Sequence, residues 1–240
     1  MKSLFKFLGI FCALAIPVSA QEGDGYGFLN IANLIPGDVP CEIQIGGKDL
    51  VPDGLKAGTY TGWFMAKTGS KSMTVSMGEL DSASGNIQLV EGQGNLVGIF
   101  LEPDTRRNSE GRLYPPKIRI KSFPTYETKG YGLKFVSLCP GENRFQLGSL
   151  KLDPKTFTPV EIPKWNGGGF EIFRNGDSIG KVSGSTESGA FYLLVGAGVE
   201  GEFASVIVSA NKQEVPEYLK PEKTKREPAA TTSEKPDPNP

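Results

Sequence analysis

Gly196-Ala197-Gly198-Val199-Glu200-Gly201 has the spacing of a dinucleotide cradle, and Ser178-Ile179-Gly180-Lys181 with Lys67-Thr68-Gly69 has that of a serine acyl-transferase. Both fail on context. A dinucleotide cradle needs a helix to begin at the glycines so that its amide dipole meets the pyrophosphate, whereas Phe203 to Val208 is β-rich, so a hairpin turn is expected there. In the acyl-transferases the serine motif opens a helix and precedes KTG. Here it follows Asn175-Gly176, lies downstream of KTG, and no SDN occurs. The chain has no histidine, which removes Ser-His-Asp and Cys-His nucleophiles, HExxH zinc sites and any imidazole acid or base. The closest acidic groupings, Glu22-Gly23-Asp24 and Glu79-Leu80-Asp81, lack the alternating oxygen ligands of an EF-hand. No catalytic residue, metal ligand or cofactor is therefore expected. A carboxylate pair or a loop-bound cation assembled by the fold stays open as an alternative enzymatic reading.

Aromatic residues offer binding chemistry instead. Tyr60-Thr61-Gly62-Trp63-Phe64 and Lys164-Trp165-Asn166-Gly167-Gly168-Gly169-Phe170 each carry one Trp, and an exposed Trp or Tyr stacks on a sugar ring or anchors a protein partner. One large aromatic per sandwich is also the usual core plug. Trp165, beside Asn166 and three glycines, is the stronger candidate for exposure, and Trp63 and Tyr60 are kept with it as ligand-binding candidates. Cys41 and Cys139 could form one disulfide, or could equally be two separate buried thiols.

These residues must be positioned by strands. Short alternating runs (Ile43, Ile45; Met73, Val75, Met77; Ile118, Ile120; Phe170, Ile172) are separated by Gly, Asn, Asp and Pro, with 31 glycines and 18 prolines in 240 residues. Turns are expected at Ile45-Gly46-Gly47-Lys48, Lys67-Thr68-Gly69-Ser70 and Arg174-Asn175-Gly176-Asp177. Gly25-Tyr26-Gly27 recurs as Gly130-Tyr131-Gly132, and Asn33-Leu34-Ile35-Pro36-Gly37-Asp38 recurs as Ser137-Leu138-Cys139-Pro140-Gly141-Glu142. Tyr26 and Tyr131 are expected to open the first strand of each copy. The expectation is an all-β chain of two tandem immunoglobulin-like β-sandwich modules from an internal duplication, residues 21–127 and 128–215, with about seven strands each and one buried face per sheet. Glu102 to Pro116 is a charged loop that the second module replaces with a short turn.

The first twenty residues have a basic start, an apolar run from Leu4 to Ile16 and a Val18-Ser19-Ala20 exit, which is the pattern of a cleaved signal peptide over 1–20. The run is too short to span a bilayer, so no membrane insertion is expected after its removal. Losing Lys2 and Lys6 leaves 24 cationic side chains against 27 carboxylates, a formal charge of −3, which offers no field for nucleic acid. Residues 216–240 are rich in Pro, Lys and Glu and poor in apolar side chains, so a disordered tail is expected there.

Leu29 to Asn33, Pro36-Gly37-Asp38, Ile43-Gln44-Ile45-Gly46-Gly47 and Leu55-Lys56-Ala57-Gly58-Thr59-Tyr60 give the first module a strand, a Pro-containing turn, a strand ending in a Gly turn and an Ala-Gly-Thr-Tyr segment. In this it resembles a family of secreted bacterial β-sandwich domains of unassigned function, with Asn33-Leu34-Ile35-Pro36 where that family shows His-Ala-Ser-Pro. The layout is also similar to periplasmic accessory proteins of alginate O-acetylation. Neither resemblance implies catalytic residues. The function expected is that of an extracytoplasmic, periplasmic or secreted, non-catalytic protein binding polysaccharide or an envelope protein. A structural or accessory role in an envelope or exopolysaccharide assembly is the alternative.

Overall fold

The computed structural model describes residues 24–219 except 142–143 and 199–200. The expected signal peptide and residues 220–240 of the expected tail lie outside the described residues. Within them the chain is all-β, with no α-helix and one 3₁₀ turn at Glu217–Leu219, inside the segment expected to be without structure.

The first half contributes β1 (Tyr26–Asn33), β2 (Glu42–Ile45), β3 (Lys48–Asp49), β4 (Thr59–Tyr60), β5 (Phe64–Lys67), β6 (Gly69–Met77), β7 (Leu80–Leu89), β8 (Gly94–Glu102) and β9 (Lys117–Pro124). The second contributes β10 (Tyr131–Ser137), β11 (Phe145–Leu147), β12 (Leu150–Leu152), β13 (Val160–Ile162), β14 (Phe170–Arg174), β15 (Asp177–Val182), β16 (Gly189–Ala197) and β17 (Phe203–Ser209). Sheet orders are β4-β1-β8-β9 and β3-β2-β6-β7 in the first half, and β13-β10-β16-β17 and β12-β11-β14-β15 in the second. The same order thus recurs strand for strand, down to the parallel pairs β1 with β8 and β10 with β16. Only β5, paired antiparallel to β1, has no counterpart.

Corresponding turns use corresponding hydrogen bonds. The Ile35 N–H donates to Asn33 Oδ1 (2.9 Å) and the Cys139 N–H to Ser137 Oγ (3.3 Å). The Gly58 N–H donates to Asn33 O and the Phe157 N–H to Ser137 O, at φ of 65° and 64°. Gly46 and Gly47 (φ 58° and 76°) and Asn175 and Gly176 (φ 52° and 100°) form the expected tight hairpins, whose left-handed central residues suit the strand twist.

The four sheets stack in four layers around three apolar cores. Leu29, Ile31, Ile43, Met73, Val75 and Val97 fill the first sandwich, and Leu133, Phe135, Phe145, Ile172 and Leu193 fill the second. Between the sandwiches lies a third core containing Leu34, Leu96, Phe100, Phe123, Leu138, Leu194 and Val208. The expectation of one buried face per sheet holds for the outer sheets, where β6 alternates inward Met73, Val75 and Met77 with partly or fully exposed Ser72, Thr74 and Ser76. The inner sheets differ: β1, β8 and β16 are buried on both faces, because each sandwich covers the other.

Glycine makes the close approach possible. Leu138 reaches over Gly98, where an added Cβ would lie 2.6 Å from its Cδ1, and Leu34 covers Gly196 so closely that an added Cβ would strike its carbonyl oxygen. Each sandwich thus seats a leucine in a glycine hole of the other. Cys41 belongs to the first core and Cys139 to the second. The disulfide considered for this pair is therefore absent: the thiols are buried in different sandwiches, Cys41 beside Met77 Sδ at 3.8 Å and Cys139 beside the Val195 carbonyl at 3.7 Å.

Candidate functional site

Trp165 stands at an open end of the second sandwich. Its loop leaves β13, turns at Lys164 (φ 57°) and Gly167 (φ 84°) and enters β14 through Gly168-Gly169. The indole Nε1–H donates to Gly168 O at 2.8 Å, and the Gly168 N–H donates to Asn166 Oδ1 at 3.2 Å. The loop is fixed to the one after β15 by the Ser185 N–H on Gly167 O at 2.7 Å. Glycine is needed at this crossing, since a Cβ on Gly169 would lie 2.7 Å from Val182 O.

Tyr131 and Phe191 hold the half-buried indole edge-on, with ring centroids at 5.9 and 5.2 Å and interplanar angles of 86° and 74°. Tyr131 is 37% exposed and its hydroxyl donates to Thr186 O at 3.1 Å. Asn166 and Lys164 are exposed beside it. The result is an amphipathic rim of two aromatic rings, a carboxamide and an ammonium, which can stack on the apolar face of a sugar and bond its hydroxyls.

Of the four residues singled out as ligand-binding candidates, Trp165 and Asn166 share one loop, whereas Trp63 and Tyr60 lie elsewhere. Trp63 packs against the inter-sandwich core while Trp165 packs against the core of the second sandwich, so they lie on opposite faces of the β16–β17 sheet. Trp63 Nε1–H donates to Ser209 O at 2.8 Å across the sandwich boundary, and its ring lies over Gly94. Its role is to clamp the two sandwiches, and sequence could not show this because the acceptor is 146 residues away. Tyr60 is 45% exposed on the edge strand β4, opposite Ala32, apart from Trp165 and Asn166. Tyr131, expected only to open a strand, is the aromatic partner that Trp165 gains.

The charged loop 102–116 folds on itself. Asp104, whose side chain is 7% exposed, accepts from Arg106 Nε (2.9 Å) and Nη2 (2.5 Å) and lies 3.5 Å from Lys117 Nζ. These cations hold its carboxyl well below the usual carboxylate range. Arg107 and Leu113 bridge as a small hairpin. Among the described residues no group of three or more Cys, Asp or Glu side chains is placed to hold a metal ion. No protein-family model matches the chain, and no curated protein matches it.

Proposed function

We propose that the chain is an exported, non-catalytic binding protein of the cell envelope or extracellular space, and that it recognises polysaccharide through the Trp165 rim. The observation that carries this reading is the Trp165–Tyr131 pair, held half-exposed by a glycine-packed loop with Asn166 and Lys164 alongside. Two rings fixed by packing lose little freedom on binding, which suits a heavily hydrated, hydroxyl-rich ligand whose desolvation leaves little net binding energy. The secretory pattern of residues 1–20 and the resemblance of the first module to secreted β-sandwich domains support the location. One duplicated ancestral module accounts for the recurring strand order.

A structural or accessory role in an exopolysaccharide assembly is the second reading. It is favoured by the third core, which joins both sandwiches into one stack and gives a spacer of fixed geometry.

Tryptophan fluorescence of residues 21–240 carrying Trp63→Phe isolates Trp165. Soluble polysaccharides are expected to protect it from acrylamide quenching, and Trp165→Ala is expected to lower the melting temperature, because the indole packs on the second core, and to remove glycan retention at temperatures where the variant is still folded. A panel of neutral and anionic glycans that neither shifts nor protects the emission overturns the glycan reading and leaves the structural one.

A further inference from the structure

Asn166 carries a second chemistry, directed at its own backbone. An asparagine followed by glycine has no side chain to keep the next peptide nitrogen away from its carboxamide carbon. The chain has two such pairs, Asn166-Gly167 and Asn175-Gly176, and both asparagines are exposed. Their carboxamides are aimed differently. Asn175 Oδ1 reaches across its hairpin to accept the Arg144 N–H at 3.1 Å, and the Asn175 N–H donates back to Arg144 O at 2.8 Å, so that side chain is held against the facing segment. Asn166 Oδ1 accepts instead from the Gly168 N–H at 3.2 Å, two residues on, which folds the carboxamide back over the Gly167 peptide.

The surroundings of Asn166 favour attack by that peptide. The bond from Gly168 polarises the carboxamide carbonyl and is in place for the oxyanion that forms when a nucleophile adds. Among the described residues no hydrogen bond uses the Gly167 N–H or Asn166 Nδ2, so neither the nucleophile nor the leaving group is tied elsewhere. The peptide is also held still: Gly167 O accepts from the Ser185 N–H at 2.7 Å, and a Cβ on Gly167 would lie 2.7 Å from Tyr131 Cε1.

We propose that Asn166-Gly167 is a self-modification site, at which the carboxamide of the Trp165 rim is converted to a carboxylate by deamidation. The Gly167 nitrogen adds to Asn166 Cγ and the Cγ–Nδ2 bond breaks. Nδ2 leaves as ammonia, with the proton of the Gly167 nitrogen reaching it through solvent. Water then opens the cyclic imide at either carbonyl. One opening leaves aspartate at this position, a carboxylate in the loop that carries the exposed Lys164. The other leaves isoaspartate, which lengthens the backbone by a methylene. The crossing has no slack for it, since a Cβ on Gly184 would strike Gly167 O. Isoaspartate therefore breaks the Ser185–Gly167 bond and loosens the indole. The loss of ligand binding that follows rests on the glycan reading of the rim, whereas the modification does not.

The test ages residues 21–240 carrying Trp63→Phe at mildly alkaline pH, below the melting temperature, and maps the peptides by mass spectrometry, with enzymatic methylation to count isoaspartate. Asn166 is expected to convert about tenfold faster than Asn175. Trp165 is expected to open to acrylamide in step with the isoaspartate formed. Asn166→Gln, whose longer side chain must close a larger ring, should keep the mass and quenching of fresh protein, and fresh Asn166→Asp, which has the charge without the extra methylene, should quench as the parent does. An Asn166 that keeps its amide in the native protein while converting in denaturant, or that converts no faster than Asn175, overturns the proposal. Glycan retention measured on the same samples separates the two readings: fresh protein that retains none overturns the glycan reading alone.

Discussion

At the scale of single residues, the two cysteines and two tryptophans have roles set by their surroundings. Burial pushes the Cys41 thiol up to about 12, the Cys139 thiol to about 11 and the Tyr192 hydroxyl to about 12. All three are raised, so the folded state favours their protonated forms. Their contribution is whole below the ordinary values of 9.0 for the thiols and 10.0 for the phenol, and is lost as pH rises toward the folded values. Denaturant midpoints should therefore fall between about pH 9 and about pH 12. An aromatic disulfide reagent at neutral pH should find both thiols inert in the native protein and both reactive in denaturant; a thiol count of zero after denaturation would mean that they pair. The turn at Asn175-Gly176 was legible because its signal is local. Trp63 was not, since a sequence shows an indole but not the carbonyl it will meet.

At the scale of elements, the strands divide by the periodicity of their burial. The alternation of Met73, Val75 and Met77 marks an outer strand, while Leu96 to Leu101 and Phe191 to Val195 are continuously buried because a sheet covers each face. The glycine holes in β8 and β16 give a graded prediction. Gly196→Ala would press a methyl against the backbone oxygen of Leu34, which cannot move without β1, and should cost about 1–3 kcal/mol. Gly98→Ala meets the terminal methyl of Leu138, a side chain that can rotate, and should cost less; calorimetric melting of the two variants checks the order. Trp63→Phe removes the bond to Ser209 and should cost about 1 kcal/mol. Phe157 adopts the left-handed φ that Gly58 adopts in the matching turn, and its ring packs 5.1 Å from Phe100 of the other sandwich. There the inter-sandwich contact offsets a backbone conformation that favours glycine.

At the scale of the molecule, two sandwiches joined through a third apolar core should behave as one cooperative unit. Differential scanning calorimetry of residues 21–240 is expected to show a single transition. Residues 128–219 expressed alone, with Leu138, Leu194, Val206 and Val208 uncovered, should aggregate or melt at a lower temperature. Two independent transitions, with the isolated second half as stable as the whole, would mean that the third core contributes little. The chain also returns on itself past β17, where residues 212–215 and Leu219 line a groove with Tyr26 and Glu91 of the first sandwich. The last residues assigned to the second module thus lie against the first.

The sequence by itself determined the all-β class, the tight Gly and Asn-Gly hairpins and the absence of imidazole chemistry, because each follows from composition or from residues within a few positions of one another. Only the tertiary structure decided that the sandwiches pack face to face, that Cys41 and Cys139 lie in separate cores, that Trp63 serves as a clamp and that Trp165 pairs with Tyr131. Those outcomes depend on contacts between residues tens to more than a hundred positions apart, such as Trp63 with Ser209 and Leu34 with Gly196. An apolar run such as Leu96 to Leu101 specifies that both its faces be buried, but carries no mark of what will bury the second one.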